Sequence, residues 1–440
     1  MKCLIIAAGK GSRLSKRGDS KPLISLLGLS LIERTILTAK GSGIKDFYVV
    51  TGYNGEKLRK HLNRICHKKN INISHIINEE WEKGNGISVL KAKKLFNENF
   101  ILLMADHIFD ESILMRLKSK KIADDEVMLA VDYNVEENKL IDIEDVTKVL
   151  VDGGKIVDIG KDIENYNAYD TGIFLCSPAI FNGIERSLST GDDSLSGGVK
   201  ELAGRGRAKT FDIKESYWID VDNEETFEKA ESRLLSTLNK TSDGPISRYL
   251  NRPISTKISR YLVRTKITPN CVSLISFAIC SISALFFFLG GYISLVIGGV
   301  LAQISSIIDG CDGEIARLKF QKTDFGRWFD AVLDRYADAF LLFGLTFYVF
   351  SSSGNLFYLF IGFLAIIGTF MNSYTADKYD GLMKRKIGSK GYYFRIGRDA
   401  RLFIIFLGSL VNLPLLALII IALLMNIENV RRIVALYKYE

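Results

Sequence analysis

Four aspartates recur at fixed intervals in DGCDGEIARLKFQKTDFGRWFDAVLD, residues 309–334. Asp309 and Asp312 stand three apart, Asp330 and Asp334 four apart, so each pair shares one face of a helix. Apolar runs flank the stretch, VIGGVLAQISSII before it and AFLLFGLTFYVF after it. An acid at the centre of a membrane helix costs about 2.5–3.5 kcal/mol on the insertion scale. Four of them need a counter-charge, and a bound divalent cation is the simplest. Oxygen ligands suit Mg²⁺, Mn²⁺ or Ca²⁺. Two helices facing each other across a short loop would converge all four on one ion. Gly313, Ala316 and Arg317 follow the first pair, and Gly326 precedes the second. The glycines let a nucleotide lie close against the backbone.

A second set of residues suited to phosphate chemistry lies near residue 10. KCLIIAA, residues 2–8, reads as a buried parallel strand. It runs into Gly9-Lys10-Gly11-Ser12-Arg13-Leu14, and Lys21-Pro22-Leu23 comes soon after. Backbone N–H groups around Ala8, Gly9 and Gly11, with Arg13 and Lys21, form a cradle for triphosphate oxygens. The run does not match the Walker pattern and lacks the third glycine of the dinucleotide fingerprint.

The elements that must position these residues alternate. LIERTILTAKGSG predicts a helix, DFYVVTGY a strand, GEKLRKHLNRICHK a helix and INISHIINE a strand. The loop Glu82 to Ser88 then leads into a helix from Val89. NFILLMADHIFD is a buried strand ending in Asp106, and ligands of open α/β sheets bind at the carboxyl ends of strands. This half is predicted to be α/β.

The chain has 440 residues, 48% of them hydrophobic, and a formal net charge of +8. That length allows two or three domains. Residues 1–240 mix apolar and charged groups, whereas 244–308 carry no acid and become strongly apolar from Cys271. The positive charge therefore reads as lipid-facing and not as nucleic-acid binding. Six cysteines lie scattered with no CxxC, which predicts reduced thiols. The first apolar run is too short for a signal peptide. Residues 242–270 form a basic linker in which Arg248, Arg252, Lys257, Arg260, Arg264 and Lys266 alternate with Ile, Tyr and Leu. An amphipathic helix on an anionic surface explains that pattern.

Six membrane helices are predicted, at about Pro269–Gly290, Tyr292–Arg317, Gly326–Phe350, Leu356–Ala376, Asp399–Val411 with some extension, and Leu413–Leu436. Basic residues crowd the linker, the 317–327 loop and the 378–401 loop. The positive-inside rule then puts the soluble half, both termini and the aspartates on the cytoplasmic face of the cell membrane.

The aspartate run resembles the signature of the CDP-alcohol phosphatidyltransferases: DxxDGxxAR, eight residues, then GxxxDxxxD. It is complete here. The resemblance implies metal ligation by Asp309, Asp312, Asp330 and Asp334, nucleotide contacts from Gly313, Ala316 and Arg317, and Asp334 as general base. The string LIIAAGKGSRL…KPL resembles the sugar-phosphate nucleotidyltransferases, which implies a Rossmann-like sheet. By that likeness Asn85 and Gly86 lie nearest the nucleotide. Asp106 and Asp222 (in YWIDVDN) hold a metal, with Asp220 the alternative to Asp222. Lys148 holds the substrate phosphate, with Thr171 and Gly172 lining the pocket, and Arg205 and Arg207 are further candidates. An acceptor phosphate in the membrane half needs cations, and Arg395, Arg398 and Arg401 fit that need.

The fusion, including the linker DGPISRYLNRPIS, resembles the bifunctional family that makes CDP-inositol and then a phosphorylated di-inositol diester. That likeness implies CTP and inositol 1-phosphate as substrates, Mg²⁺ or Mn²⁺ as cofactor, and a homodimer. The expected domains are 1–238, a cytidylyltransferase; 239–268, a juxtamembrane linker; and 269–440, the transmembrane transferase. Two other readings stay open. One is a phospholipid headgroup synthase using CDP-diacylglycerol beside a separate nucleotidyltransferase. The other is an ion transporter with a nucleotide-sensing domain, since intramembrane acids also mark ion paths.

Overall fold

A computed structural model describes the whole chain except residues 137, 139, 141, 240–242, 388–396 and 439–440. It divides into two compact units, Met1–Leu234 and Leu235–Glu440.

Besides a short pairing of Ser25–Leu26 with Leu29–Ser30, the first unit has eleven strands among the described residues. They are β1 (Lys2–Ala7), β2 (Asp46–Thr51), β3 (Asn72–Ile77), β4 (Phe100–Met104), β5 (His107–Phe109), β6 (Val127–Asp132), β7 (Lys148–Asp152), β8 (Lys155–Gly160), β9 (Ala168–Cys176), β10 (Ala208–Asp212) and β11 (Trp218–Asp220). Nine of them form one sheet in the order β3-β2-β1-β4-β9-β6-β10-β8-β7. β1 runs parallel to β2 and β4, and β9 runs antiparallel to β4 and β6. Along β1, Cys3, Ile5 and Ala7 enter one core with the helices Leu31–Gly41 and Gly55–Lys69. Leu4 and Ile6 enter the other with Ala179–Ser189 and Leu195–Ala203. This is the period-two alternation of a strand covered on both faces.

Chain order reverses direction across the sheet between β1 and β4, the place where open α/β sheets bind ligands. Beyond the end of β4, the ribbon β5–β11 pairs His107 with Asp220. That register joins two parts of the chain more than a hundred residues apart.

The second unit is helical: α1 (Arg252–Leu262), α2 (Pro269–Phe288), α3 (Tyr292–Leu318), α4 (Asp324–Ser353), α5 (Phe357–Ile387), α6 (Arg398–Leu410) and α7 (Pro414–Tyr437). Among the described residues, four helices are long and apolar enough to cross a membrane: α2, α3, the Phe357–Ala376 part of α5, and α7. The first half of α4 carries Asp324, Arg327, Asp330, Asp334, Arg335 and Asp338, and α6 has only 13 residues. Those features keep both out of the apolar set, so the sixfold count stays an expectation. Gly344 of α4 lies where an added Cβ would meet the Ala284 carbonyl at 2.8 Å, so α2 and α4 approach backbone to backbone there.

Helix α1 buries Arg252, Ser255 and Ser259, while Ile254 and Tyr261 are exposed. Of the linker cations, Arg248, Lys257, Arg260, Arg264 and Lys266 are exposed and Arg252 is not.

Candidate active sites

In the first unit the glycine-rich turn after β1 is shaped around a lysine. Gly11 has φ +64°, and a Cβ there would collide with the stem of Lys21. Lys21 is buried, yet its ammonium touches Asp222, lies 2.6 Å from Asp106 Oδ2 and 3.7 Å from Asp220 Oδ1. Burial opposes its charge, but these three carboxylates outweigh burial and raise its pKa. Asp106 responds in the opposite sense. Burial would keep it protonated, and Lys21 and His107 overcome that and hold it well below the carboxylate range.

Arg13 reaches Asp145 at 2.6 Å and Asp222 at 3.3 Å, and Lys161 reaches the other Asp145 oxygen at 2.5 Å. A cavity of about 220 Å³ opens among these groups; Asn85, Asp106, Asp145, Lys161, Gly172 and Asp222 are in its wall. Asn85 accepts a hydrogen bond from the Leu195 amide at 2.8 Å. A Cβ on Gly86 would meet the Asp193 carbonyl at 2.6 Å, so this loop is fixed against residues 193–195. Asp170, also in the wall, has its pKa raised to about 6 by burial.

Several expected residues take other places. Ala8 is buried, and its carbonyl accepts from the Tyr53 amide at 2.9 Å. Gly9 faces open space. Thr171 is fully buried and donates to the Ala130 carbonyl at 2.7 Å, so its neighbour Gly172 lines the cavity and it does not. The Lys148 ammonium sits 5.3 Å from the centre of the Tyr166 ring. Lys161, which sequence reasoning missed, is in the cavity wall instead. The two are spatial neighbours because β8 pairs Gly160 with Lys148. Arg207 pairs with Asp125 at 3.0 Å.

Asp106, His107 and Asp220 each offer one ligand atom, all within 4.8 Å of one another. Asp220 Oδ1 is buried with no hydrogen-bond partner. An orphaned anionic oxygen of that kind suits a cation. Asp222, by contrast, is engaged by Lys21 and Arg13.

In the second unit the i, i+3 and i, i+4 spacings do what helix geometry requires. α3 presents Asp309 and Asp312, and α4 presents Asp330 and Asp334. Asp309, Asp330 and Asp334 bring one oxygen each within 4.8 Å of one another. Asp312 is not among these three; it accepts from Ser273 Oγ at 2.5 Å. The donor set is all carboxylate, which fits a hard divalent cation.

Arg398, at the start of α6, enters this cluster. Its Nη1 lies 3.0 Å from Asp309 and 2.7 Å from Asp334. That nitrogen is nonetheless without an aligned hydrogen bond, so the attraction is coulombic. Its Nε reaches Asp338 at 3.2 Å. Arg401 is buried and pairs with Asp338 at 2.7 Å, which makes it part of the α4–α6 packing. Arg395 falls outside the described residues. Gly313 donates its amide to Asp312, and the Arg317 guanidinium donates to the Leu238 carbonyl at 3.3 Å. Ala316 lies between them on α3, and its carbonyl caps the end of that helix by accepting from Gln321 at 2.9 Å.

A cavity of about 230 Å³ lies beside Asp309, with Arg252, Ser306, Gly310 and Arg398 in its wall. Glu314 is completely buried there and holds Arg252 at 2.6 Å, and Asp243 holds the same guanidinium at 2.9 Å.

The family described as CDP-alcohol phosphatidyltransferase matches residues 266–437, and that described as MobA-like NTP transferase domain matches residues 3–148. A protein of Rubrobacter xylanophilus called bifunctional IPC transferase and DIPP synthase is 34% identical over 435 residues, 98% of this chain and 95% of its own length. The chain belongs to that bifunctional family. An Aquifex aeolicus protein of the same name is 33% identical, covering 99% of this chain and 98% of its own. The solved inositol-1-phosphate CTP transferase of T. maritima is 26% identical with a TM-score of 0.47, covering 52% of this chain and 94% of that one. This member of the bifunctional family is thus an enzyme that joins a nucleotidyltransferase to a CDP-alcohol phosphotransferase.

Proposed function

We propose that the first unit converts CTP and inositol 1-phosphate into CDP-inositol and pyrophosphate. The second unit transfers the inositol phosphate of CDP-inositol to a second inositol 1-phosphate, giving the phosphorylated di-inositol diester and CMP. The observation that carries this reading is the kinship over 98% of the chain with proteins named for both steps.

In the first step a phosphate oxygen of inositol 1-phosphate attacks the α-phosphorus of CTP. The nucleophile is already ionised, so no base is needed. Arg13 and Lys21 neutralise the departing pyrophosphate, and Lys161 holds the inositol phosphate. Each cation now pairs with a carboxylate, and triphosphate oxygens would take over those pairings. In the second step Asp334 takes the proton of the acceptor hydroxyl. That oxygen bonds to the β-phosphorus, the bond from β-phosphorus to the bridging oxygen breaks, and CMP leaves. Arg398 bears on the developing charge. Asp106 in one unit, and Asp309, Asp330 and Asp334 in the other, would hold a divalent ion, Mg²⁺ or Mn²⁺, which would supply charge neutralisation at the phosphates.

With this go the division into 1–238, 239–268 and 269–440, six spans with α4 and α6 included, a cytoplasmic aspect for both sites, and a homodimer. The exposed cations and tyrosines of the linker support its lying on an anionic bilayer.

The test is a product assay on purified chain given CTP, Mg²⁺ and labelled inositol 1-phosphate without lipid. CDP-inositol should appear first and a water-soluble diester after it. A diester that forms only when CDP-diacylglycerol is added would overturn the reading.

A further inference from the structure

We propose that His107 is a nitrogen ligand of the divalent cation in the soluble site, which sets that site's metal preference apart from the all-carboxylate site of the second unit. This rests on the nucleotidyltransferase reading of the first unit only in naming the cation's use; the ligand claim itself is tested without substrate.

His107 Nδ1 lies 3.0 Å from Asp106 Oδ1 and 3.6 Å from Asp220 Oδ1. Adjacent ligand atoms around an ion with bonds of about 2.1 Å lie roughly 3.0–3.4 Å apart in octahedral or tetrahedral geometry. The first separation falls in that range and the second lies just beyond it. Asp106 divides its oxygens, Oδ2 to Lys21 and Oδ1 to this side. Asp220 Oδ1 has no hydrogen-bond partner. The three residues thus bring ligand atoms within 4.8 Å of one another, with the Lys21 ammonium 3.7 Å from Asp220 Oδ1.

The fold holds the imidazole there. β5 and β11 fix His107 opposite Asp220, and the ring stacks on Trp218 with centroids 6.1 Å apart. Gly172, at φ +69°, gives it room: a Cβ would come within 2.7 Å of His107 Cδ2 and Nε2. A ring meant only to hydrogen-bond one carboxylate does not need to face two. The proton that Nδ1 carries toward Asp106 is the cation's competitor. Imidazole favours transition metals over Mg²⁺, whereas carboxylates alone suit Mg²⁺. The two sites of one chain should thus rank cations differently.

The experiment uses the full chain, free of purification histidines, with Asp309→Asn and Asp334→Asn silencing the membrane site, and Mn²⁺ alone as probe. Pulsed paramagnetic resonance should show one ¹⁴N coupling, which ¹⁵N-histidine labelling converts to ¹⁵N. The chain has four histidines, and among the described residues only His107 sits in a carboxylate cluster able to hold a metal. His107→Gln should abolish the coupling and weaken Mn²⁺ at least about tenfold, with a smaller loss for Mg²⁺. Asp220→Asn should weaken Mn²⁺ yet keep the coupling. Absence of nitrogen coupling in the histidine-bearing chain, or its persistence after His107→Gln, overturns the proposal. The labelling arm decides the matter even if His107→Gln fails to fold. Failure of CDP-inositol synthesis in the unsubstituted chain would instead count against the proposed function and leave the coupling result standing.

Discussion

Both units surround a basic side chain with aspartates, but they assemble the cluster by opposite means. In the second unit Asp309, Asp330 and Asp334 converge because two helices carry them at fixed spacing, and Arg398 arrives from a third. In the first unit Asp106, Asp145, Asp220 and Asp222 come from separate loops and strand ends, gathered by sheet register around Lys21 and Arg13. Helix spacing is a local property of sequence, whereas register is a property of the whole sheet. The first cluster can thus admit a histidine and several cations, and the second draws its acids from two helical stripes and its cation from the start of a third helix.

The comparison breaks if the two centres are not separable. Asp334→Ala should cut CMP release by about 10²–10⁴-fold, as loss of a general base does, and leave CDP-inositol formation from CTP intact. Both products can be read from one chromatogram. Loss of both steps would mean that the units do not work independently.

A second expectation concerns buried charge. Lys21→Met leaves Asp106 and Asp222 without their ammonium, and breaking a buried pair costs about 3–5 kcal/mol. Thermal unfolding of the first unit should fall accordingly and recover in part with added Mg²⁺. In the second unit Arg401→Gln leaves Asp338 only its 3.2 Å contact with Arg398 and should cost up to about 3–5 kcal/mol. Adding Asp338→Asn should restore most of it. An Arg401→Gln chain of full stability that bound inositol 1-phosphate poorly would return Arg401 to the substrate.

The smallest effects sharpen the phosphate assignment. Lys161→Ala should raise KM for inositol 1-phosphate by roughly 10–100-fold, the worth of a charge-assisted hydrogen bond of about 1.5–3 kcal/mol. Lys148→Ala, over the Tyr166 ring, should change it little, within about 0.5 kcal/mol. Steady-state kinetics of the CTP step separates the two.

These cases mark what sequence could reveal. The aspartate quartet was legible because its spacing is helical and its flanks are apolar. Asp338 continues the Asp330–Asp334 stripe at the same interval of four, so the partner of Arg401 was within reach of the same logic. Lys161 was not, because β7 and β8 pair as neighbours and place Gly160 opposite Lys148; the choice between lysines is made by strand register. His107 adjoins Asp106 in the run ADHIFD, a visible signal, but only the β5–β11 ribbon shows that Asp220 faces it. The α/β character of the first unit was legible in strand runs alternating with helices, whereas the order of the strands in the sheet was not. Gly172 lines the cavity and Thr171 does not, because successive residues of one strand face opposite ways.

The most direct measurement supplies CDP-inositol and labelled inositol 1-phosphate, without CTP, to the full chain carrying Asp106→Ala. The account expects diester and CMP at the rate of the unsubstituted chain. A chain that makes diester from CTP when intact, yet none from supplied CDP-inositol once Asp106 is gone, would contradict two consecutive reactions at two separate centres.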